Sequence, residues 1–228
     1  ELGGHSLLVT KLLSRIQKQF NVNLLLSNVF ESSSLEQLAQ LINKGAIHKL
    51  SEIVTNNVEK APLSFAQQRL WFLDELGQGN RYHIPYLLKI KGALDINALE
   101  KSIHYLVQRH ESLRTVFFKD ANDNIYQKAI KDFAVEIIKD DVSEYPEIER
   151  EAVTKQKYIT FFSTSFNLEK GPLFKTILIE VGLDDYVFGL SMHHIISDGW
   201  SINIIVKELN EIYNSYVNDS AISLPQLQ

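Results

Sequence analysis

Residues 186–216 constrain the fold of this chain more than any other stretch. Over 186–194 the larger residues Tyr186, Phe188, Leu190, Met192 and His194 alternate with Val187, Gly189, Ser191 and His193. A period of two built from aromatic and β-branched residues predicts a strand. Over 202–216, Ile202, Ile205, Val206, Leu209, Ile212, Tyr213 and Tyr216 recur at helical spacing. Asp198-Gly199 predicts a tight loop between the two. A strand that feeds a helix through so short a loop implies a sheet with helices packed on it, an α/β class of fold. On such a strand His193 and His194 face opposite ways, His194 with the large residues and His193 with the small ones.

The end of a strand is where a rigid scaffold presents chemistry. Histidine is the side chain most easily tuned to exchange a proton near neutral pH. From residue type alone, Asp198 has three readings. It orients an imidazole, it pairs with an arginine and fixes the loop, or it caps the helix that follows. A metal site is disfavoured. The two histidines point apart, the chain has no cysteine, and no further histidine stands at ligand spacing.

Composition bounds the partners. The 228 residues suffice for one large or two small domains, and 45% hydrophobic content is that of a globular protein with a core. A net charge of -5 points to neither nucleic acid nor an anionic membrane surface. The absence of cysteine removes disulfides, thiol nucleophiles and thiolate metal sites, and suits a cytoplasmic setting. No apolar run approaches a membrane span. The first residue is Glu1 rather than Met, so the natural N-terminus is expected to lie upstream.

Residues 1–44 predict a small helical unit. Glu1-Leu2-Gly3-Gly4-His5-Ser6 forms a glycine turn, followed by Leu7, Leu8, Leu12, Leu13, Ile16 and Phe20 at helical spacing. Ser6 is either the cap of that helix or an exposed serine open to modification. Residues 24–30 and a helix with Leu35, Leu38, Leu41 and Ile42 close over the first, capped by Ser32-Ser33-Ser34. Residues 45–62 read as a linker. A larger α/β region follows over 63–228. It opens with a Ser64-capped helix to residue 76 that points Phe65, Leu70, Trp71 and Leu73 inward. A strand is expected over 86–90, an Asp95-capped helix to residue 109, and strands over 113–118 and 125–129 joined at Asn122-Asp123-Asn124. A strand over 135–138 and a helix over 144–162 come next. Gly171-Pro172 then breaks the chain before a strand over 173–181, antiparallel to the histidine strand.

Four stretches together resemble one family. Glu1 to Leu7 is similar to the attachment motif of a peptidyl carrier protein. Leu63-Ser64-Phe65-Ala66-Gln67-Gln68-Arg69-Leu70-Trp71-Phe72-Leu73 and Arg109-His110-Glu111-Ser112-Leu113-Arg114-Thr115-Val116-Phe117 resemble the first two core motifs of a condensation domain. Met192 to Ser201 resembles the third, HHxxxDG. The resemblance is to a nonribosomal peptide synthetase: a peptidyl carrier over 1–44 lacking its first helix, a linker over 45–62, and over 63–228 the N-terminal lobe of a condensation domain. That lobe has a chloramphenicol-acetyltransferase-like fold, here read as a two-layer α+β lobe with a mixed or antiparallel sheet. The later core motifs are absent, which implies a fragment of a longer polypeptide.

The resemblance implies roles residue by residue. Ser6 carries 4′-phosphopantetheine, the only source of a thiol in a chain without cysteine. His194 acts on the reaction in which an aminoacyl amine attacks an upstream acyl thioester. An α-amine has a reference pKa near 8, so His194 either takes the proton during attack or positions the amine. His193 is structural, and Asp198 forms a structural ion pair with Arg109 or, failing that, Arg114. The backbone N–H of Gly199 is a candidate oxyanion donor, and Arg69 and Trp71 pack or anchor. The implied partners are an upstream adenylation domain, a downstream carrier domain and a phosphopantetheinyl transferase. A carrier joined directly to a condensation domain implies an L-configured donor. A heterocyclisation domain would place aspartates at 193 and 194. An epimerisation domain shares HHxxxDG with different flanking motifs, and an acyltransferase using free CoA needs no carrier. A catalytically silent docking lobe is the alternative from a different class.

Overall fold

A computed structural model describes residues 6–32, 34–44, 58–131, 133 and 135–227. The chain divides into two compact units, 1–57 and 58–228. Gly3-Gly4-His5 and the proposed linker up to residue 57 lie outside the described residues.

The first unit has three helices: α1 (Ser6–Phe20), α2 (Leu26–Glu31) and α3 (Leu35–Asn43). Asn21, at φ 53°, turns the chain out of α1 in the left-handed conformation that asparagine tolerates. Ser34 caps α3 by accepting from the Gln37 N–H at 3.3 Å. Ile16, Val22 and Leu38 are buried together, with Leu24, Val29 and Ile42 against them. That core is small, as three short helices dictate, and Phe30 and Leu35 remain exposed.

The second unit runs β1 (Ala61–Pro62), α4 (Phe65–Leu73), β2 (His83–Lys91), α5 (Ile96–Arg109), β3 (Thr115–Lys119), β4 (Ile125–Ala129), β5 (Ile137–Asp141), α6 (Glu147–Ser163), β6 (Phe174–Gly182), β7 (Asp185–His193) and α7 (Gly199–Val217). Its main sheet has the order β2-β7-β6-β5. Three of these strands are antiparallel, and β5 runs parallel to β6. A smaller antiparallel sheet has the order β1-β4-β3. Ala61 and Pro62, expected in the linker, pair with Gln127 and Tyr126 instead.

The main sheet is mixed, within an α/β fold. On one face Tyr186, Phe188, Leu190 and Met192 of β7 meet Leu99, Ile103 and Leu106 of α5 and Ile202, Ile205, Leu209 and Ile212 of α7. On the other, Val187 joins Ile177 and Ile179 against Phe161 and Phe162 of α6, which adds a further layer. Burial on both faces explains why β7 carries no outward polar series, unlike a sheet with one wet side. Where this face is tightest, Gly189 sits on β7. A Cβ there would lie 2.8 Å from Ile177 Cγ2 and 3.3 Å from Leu87 Cδ2.

Two local expectations fail. Phe65 is 90% exposed, because α4 turns Trp71 and Leu70, not Phe65, toward Leu63, Phe117 and Ile195. The strand expected over 135–138 forms at Ile137–Asp141, where Val142 N–H can donate to the Glu180 carbonyl at 2.8 Å as the pairing with β6 ends.

Candidate active site

β7 ends at His193, one residue earlier than the alternation implies. Ile196 N–H donates to the His193 carbonyl at 3.1 Å, closing a turn, and Ser197 Oγ donates to the same carbonyl at 3.2 Å. The His194 N–H donates to the Tyr82 carbonyl at 2.7 Å. His194 is therefore on the turn, not on the strand. Its ring is exposed rather than packed with the large residues of β7.

His193 is fully buried. Its Nδ1 accepts from the Ile195 N–H at 3.1 Å. A ring nitrogen that accepts carries no proton, so Nε2 bears the hydrogen. Burial first, then the neighbouring His83 and His194, push the His193 pKa down to about 4. The ring is neutral at physiological pH and serves as a fixed acceptor inside the turn. The structure thus separates the two histidines, with His193 inside the turn and His194 exposed on it, whereas the alternation puts His194 with the large residues.

Asp198 differs from what the resemblance implies. It is exposed and caps α7. Its carboxylate accepts from the Ser201 N–H at 2.9 Å and from Ser201 Oγ at 2.7 Å, and Asp198 N–H donates to Ser201 Oγ at 3.2 Å. The Ser201 hydroxyl and N–H, then the Trp200 N–H and the charge of His194, hold its pKa below the usual carboxylate value. Neither arginine is its partner. Arg109 Nε donates to Glu208 Oε2 at 3.0 Å, and Arg114 Nη2 donates to Glu111 Oε1 at 3.2 Å. The physical reason is the helix terminus: the free N–H groups of α7 already satisfy the carboxylate. Glu208, buried on α7, is what holds the arginine. It also accepts from His110 Nε2 at 2.6 Å, while Arg109 Nη2 reaches the Pro225 carbonyl. Arg109 and His110 thus join the end of α5 to α7 and to the segment after it.

Gly199 opens α7, with nothing near where a Cβ would stand. Of the first-turn donors, those of Trp200 and Ser201 turn to the Asp198 carboxylate. Trp200, in the first turn of α7, is 53% exposed. Trp71 is buried beneath Lys119, whose Nζ lies 4.5 Å from the ring centre, whereas Arg69 is exposed.

Sequence reasoning missed Gln67. Ser64 and Gln67 form a reciprocal cap at the start of α4. The amide of Gln67 also donates to the Ile195 carbonyl at 3.3 Å and exchanges hydrogen bonds with Gln127 at 3.0–3.1 Å. Gln67 thereby ties α4 and β4 to the residue after His194. The Ser-x-x-Gln spacing was visible as a capping box; the long-range bonds were not. His194, Ile196, Ser197, Asp198 and Ser201 line a depression of about 570 Å³ whose opposite wall is Ser64, Ala66, Gln67 and Leu70 of α4. The first and third sequence motifs meet there. No group of His, Asp or Glu among the described residues forms a metal site.

Comparison with known proteins bears on this arrangement. Residues 57–228 match the family of the condensation domain, and residues 1–42 match the phosphopantetheine attachment site. Two chains of the linear gramicidin synthase of Brevibacillus parabrevis are 40% and 38% identical, over 94% and 100% of this chain. This chain spans only 3% and 4% of those proteins. Malpibaldin synthetase of Mortierella alpina is 37% identical over 95% of this chain, which covers 4% of it. Among solved structures, the starter condensation domain of rhizomide synthetase RzmA superposes with a TM-score of 0.67 at 21% identity, over 73% of this chain and 41% of that one. The first condensation domain of the CDA synthetase gives 0.66 at 22%, over 74% and 43%. These two likenesses establish the fold.

Proposed function

Because this chain belongs to the condensation-domain family and carries a phosphopantetheine attachment site at its N-terminus, we propose that it works in nonribosomal peptide synthesis, its first unit carrying the acyl donor and its second forming the amide. The observation that supports this most directly is the exposed His194 ring. It stands on a turn held by Tyr82, His193 and Gln67, at a depression between α4 and the start of α7.

Ser6 stands at the N-terminus of α1, a 15-residue helix. The positive end of such a helix suits a phosphodiester, so the position fits the prosthetic group. The 4′-phosphopantetheine arm supplies a thiol on which the donor acyl group is held as a thioester. In the reaction, the amine nitrogen of an aminoacyl acceptor attacks the thioester carbonyl carbon. The C–N bond forms and the C–S bond breaks; the amine gives up one proton and the leaving sulfur gains one. His194 takes that proton or holds the amine for attack. The Gly199 N–H, at the head of α7, is the proposed donor to the developing oxyanion. Asp198 keeps the head of α7 in place as its cap. The acceptor comes from a downstream carrier domain, the donor residue from an upstream adenylation domain, and the arm from a phosphopantetheinyl transferase. The direct succession of carrier and condensation units supports an L-configured donor. The boundaries we propose are 1–44 for the carrier and, because Ala61 and Pro62 pair with β4, a linker that ends before Ala61, with the N-terminal lobe of the condensation domain following to 228.

His194→Ala, in an assembly-line polypeptide that carries this chain, is expected to lower amide formation by roughly 100-fold or more with arm loading unchanged. Amide formation at the original rate would contradict the role of His194.

A further inference from the structure

Behind the turn, away from the depression, three ionisable side chains converge: those of His193, His83 and Asp74. The ring of His83, on β2, lies opposite His193 in the register His83↔His193, with ring centroids 6.0 Å apart. Phe166 stands edge-on to both rings, at 4.7 Å and 6.2 Å. Asp74 Oδ1 lies 4.0 Å from His193 Nε2.

The tautomers follow from the bonds already made. His83 Nδ1 lies 3.2 Å from the Phe162 carbonyl, which only accepts, so Nδ1 carries the hydrogen and Nε2 is a bare acceptor. His193 is the reverse, with its hydrogen on Nε2. Both Nε2 atoms are buried, and among the described residues neither has a direct hydrogen-bond partner. One is a donor and the other an acceptor, and among the described residues the carboxylate that approaches His193 is that of Asp74. A gap of 4.0 Å is too long for a hydrogen bond and short enough for a single bridging water. Leaving such groups unpaired in the interior is costly.

The chain around Asp74 is shaped for this approach. Asp74–Gln78 is an irregular helical stretch with Gly77 at φ 74°, followed by a 3₁₀ turn at Gly79–Tyr82. A Cβ on Gly79 would lie 1.8 Å from Asp74 Oδ1. Only glycine lets the carboxylate fold back here. The same segment ends at Tyr82, whose carbonyl holds the His194 N–H, and at His83 itself.

We propose that Asp74 and His83 are positioning residues for the reaction at His194: through one water molecule they hold the His193 ring in its Nε2–H tautomer, and so fix the turn that presents His194. The proposal rests on the amide-forming role argued above. Nothing in the condensation motifs read from the sequence assigned a role to either residue. Burial raises the Asp74 pKa and lowers that of His83, which also feels the charge of Lys175.

The test reads the His193 ring directly, by nitrogen-15 side-chain NMR on the 228-residue chain. The Nε2–H tautomer is expected between about pH 5 and 8, with its proton shielded from exchange. Asp74→Ala and His83→Phe (which keeps the ring volume) are each expected to speed exchange of that proton by about tenfold or to admit the Nδ1–H tautomer. Asp74→Asn, which keeps an acceptor oxygen, restores the wild-type signal. In the assembly-line polypeptide, Asp74→Ala is expected to lower amide formation by about tenfold. An unaltered His193 signal in Asp74→Ala and His83→Phe overturns the proposal, whatever happens to the rate. An altered signal with an unaltered rate overturns the positioning role. If His194→Ala also forms amide normally, it is the broader functional reading that fails, and the NMR result stands apart from it.

Discussion

Asp198 and His193 make opposite demands on their surroundings, and each has its own measurable consequence. The Asp198 carboxylate is an exposed helix cap. Asp198→Ala is therefore expected to destabilise the chain by about 1 kcal/mol, rather than the roughly 3–5 kcal/mol of a broken buried pair. Urea unfolding distinguishes the two, and Asp198→Ser should recover most of the loss. His193 is buried and neutral, with its pKa pushed down to about 4. An unfolded histidine titrates near 6.5. Between those values the unfolded chain binds a proton that the folded chain refuses. The stabilisation is thus complete above about pH 6.5 and is lost as pH falls toward about 4, in total about 3 kcal/mol. His83, also lowered by burial, acts in the same direction. Asp74, raised by burial, opposes it at the acid end, and Lys175, lowered to about 8, stays charged throughout. An NMR titration should find His193 unprotonated at about pH 5.5; a midpoint near 6.5 would contradict its burial. The residue types at this site were legible in the sequence, and the partners less so. Arg109 needed an acid, and both Asp198 and Glu208 were on offer. The choice was made by the N–H groups at the head of α7, which claim Asp198 and leave the buried Glu208 for Arg109.

Elements here are joined by a few decisive contacts. Glu208 bonds both Arg109 and His110, and so clamps α5 to α7. Glu208→Ala strands a buried cation and is expected to cost about 3 kcal/mol, read as a lower melting temperature; Glu208→Gln should lie between. Gly189→Ala places a methyl 2.8 Å from Ile177 Cγ2. It is expected to cost about 1–3 kcal/mol by overpacking, measurable in the same melts. Periodicity located α5 and α7 and the antiparallel pair β6–β7 well, because each has a long apolar series. It misplaced what depends on a neighbour. β7 ends at His193 because the next N–H turns to Tyr82, a residue from before β2 and far back in the chain. The face that α4 buries is chosen by Trp71 in its contact with Leu63 and Phe117, not by the residues that are merely large.

At the scale of the whole molecule, the two units answer to two families, the phosphopantetheine attachment site first and the condensation domain after it. This order was readable from four short motifs, since each fixes chemistry locally. The network behind His193 was not, because Asp74 and His83 belong to no motif and meet His193 only through the fold. No described helix is long and apolar enough to cross a membrane. The proposed reaction has a direction: the acyl group would leave an arm on Ser6 for an amine elsewhere, with His194 required. The decisive measurement is therefore intact mass after one turnover in an assembly-line polypeptide that carries this chain. The donor is loaded on the Ser6 arm, and an aminoacyl acceptor is supplied on the downstream carrier. The account predicts that the acyl mass moves to the acceptor, that it stays on Ser6 in His194→Ala, and that Ser6→Ala is never loaded. Transfer that proceeds equally well in His194→Ala, or an arm found on a residue other than Ser6, would contradict it.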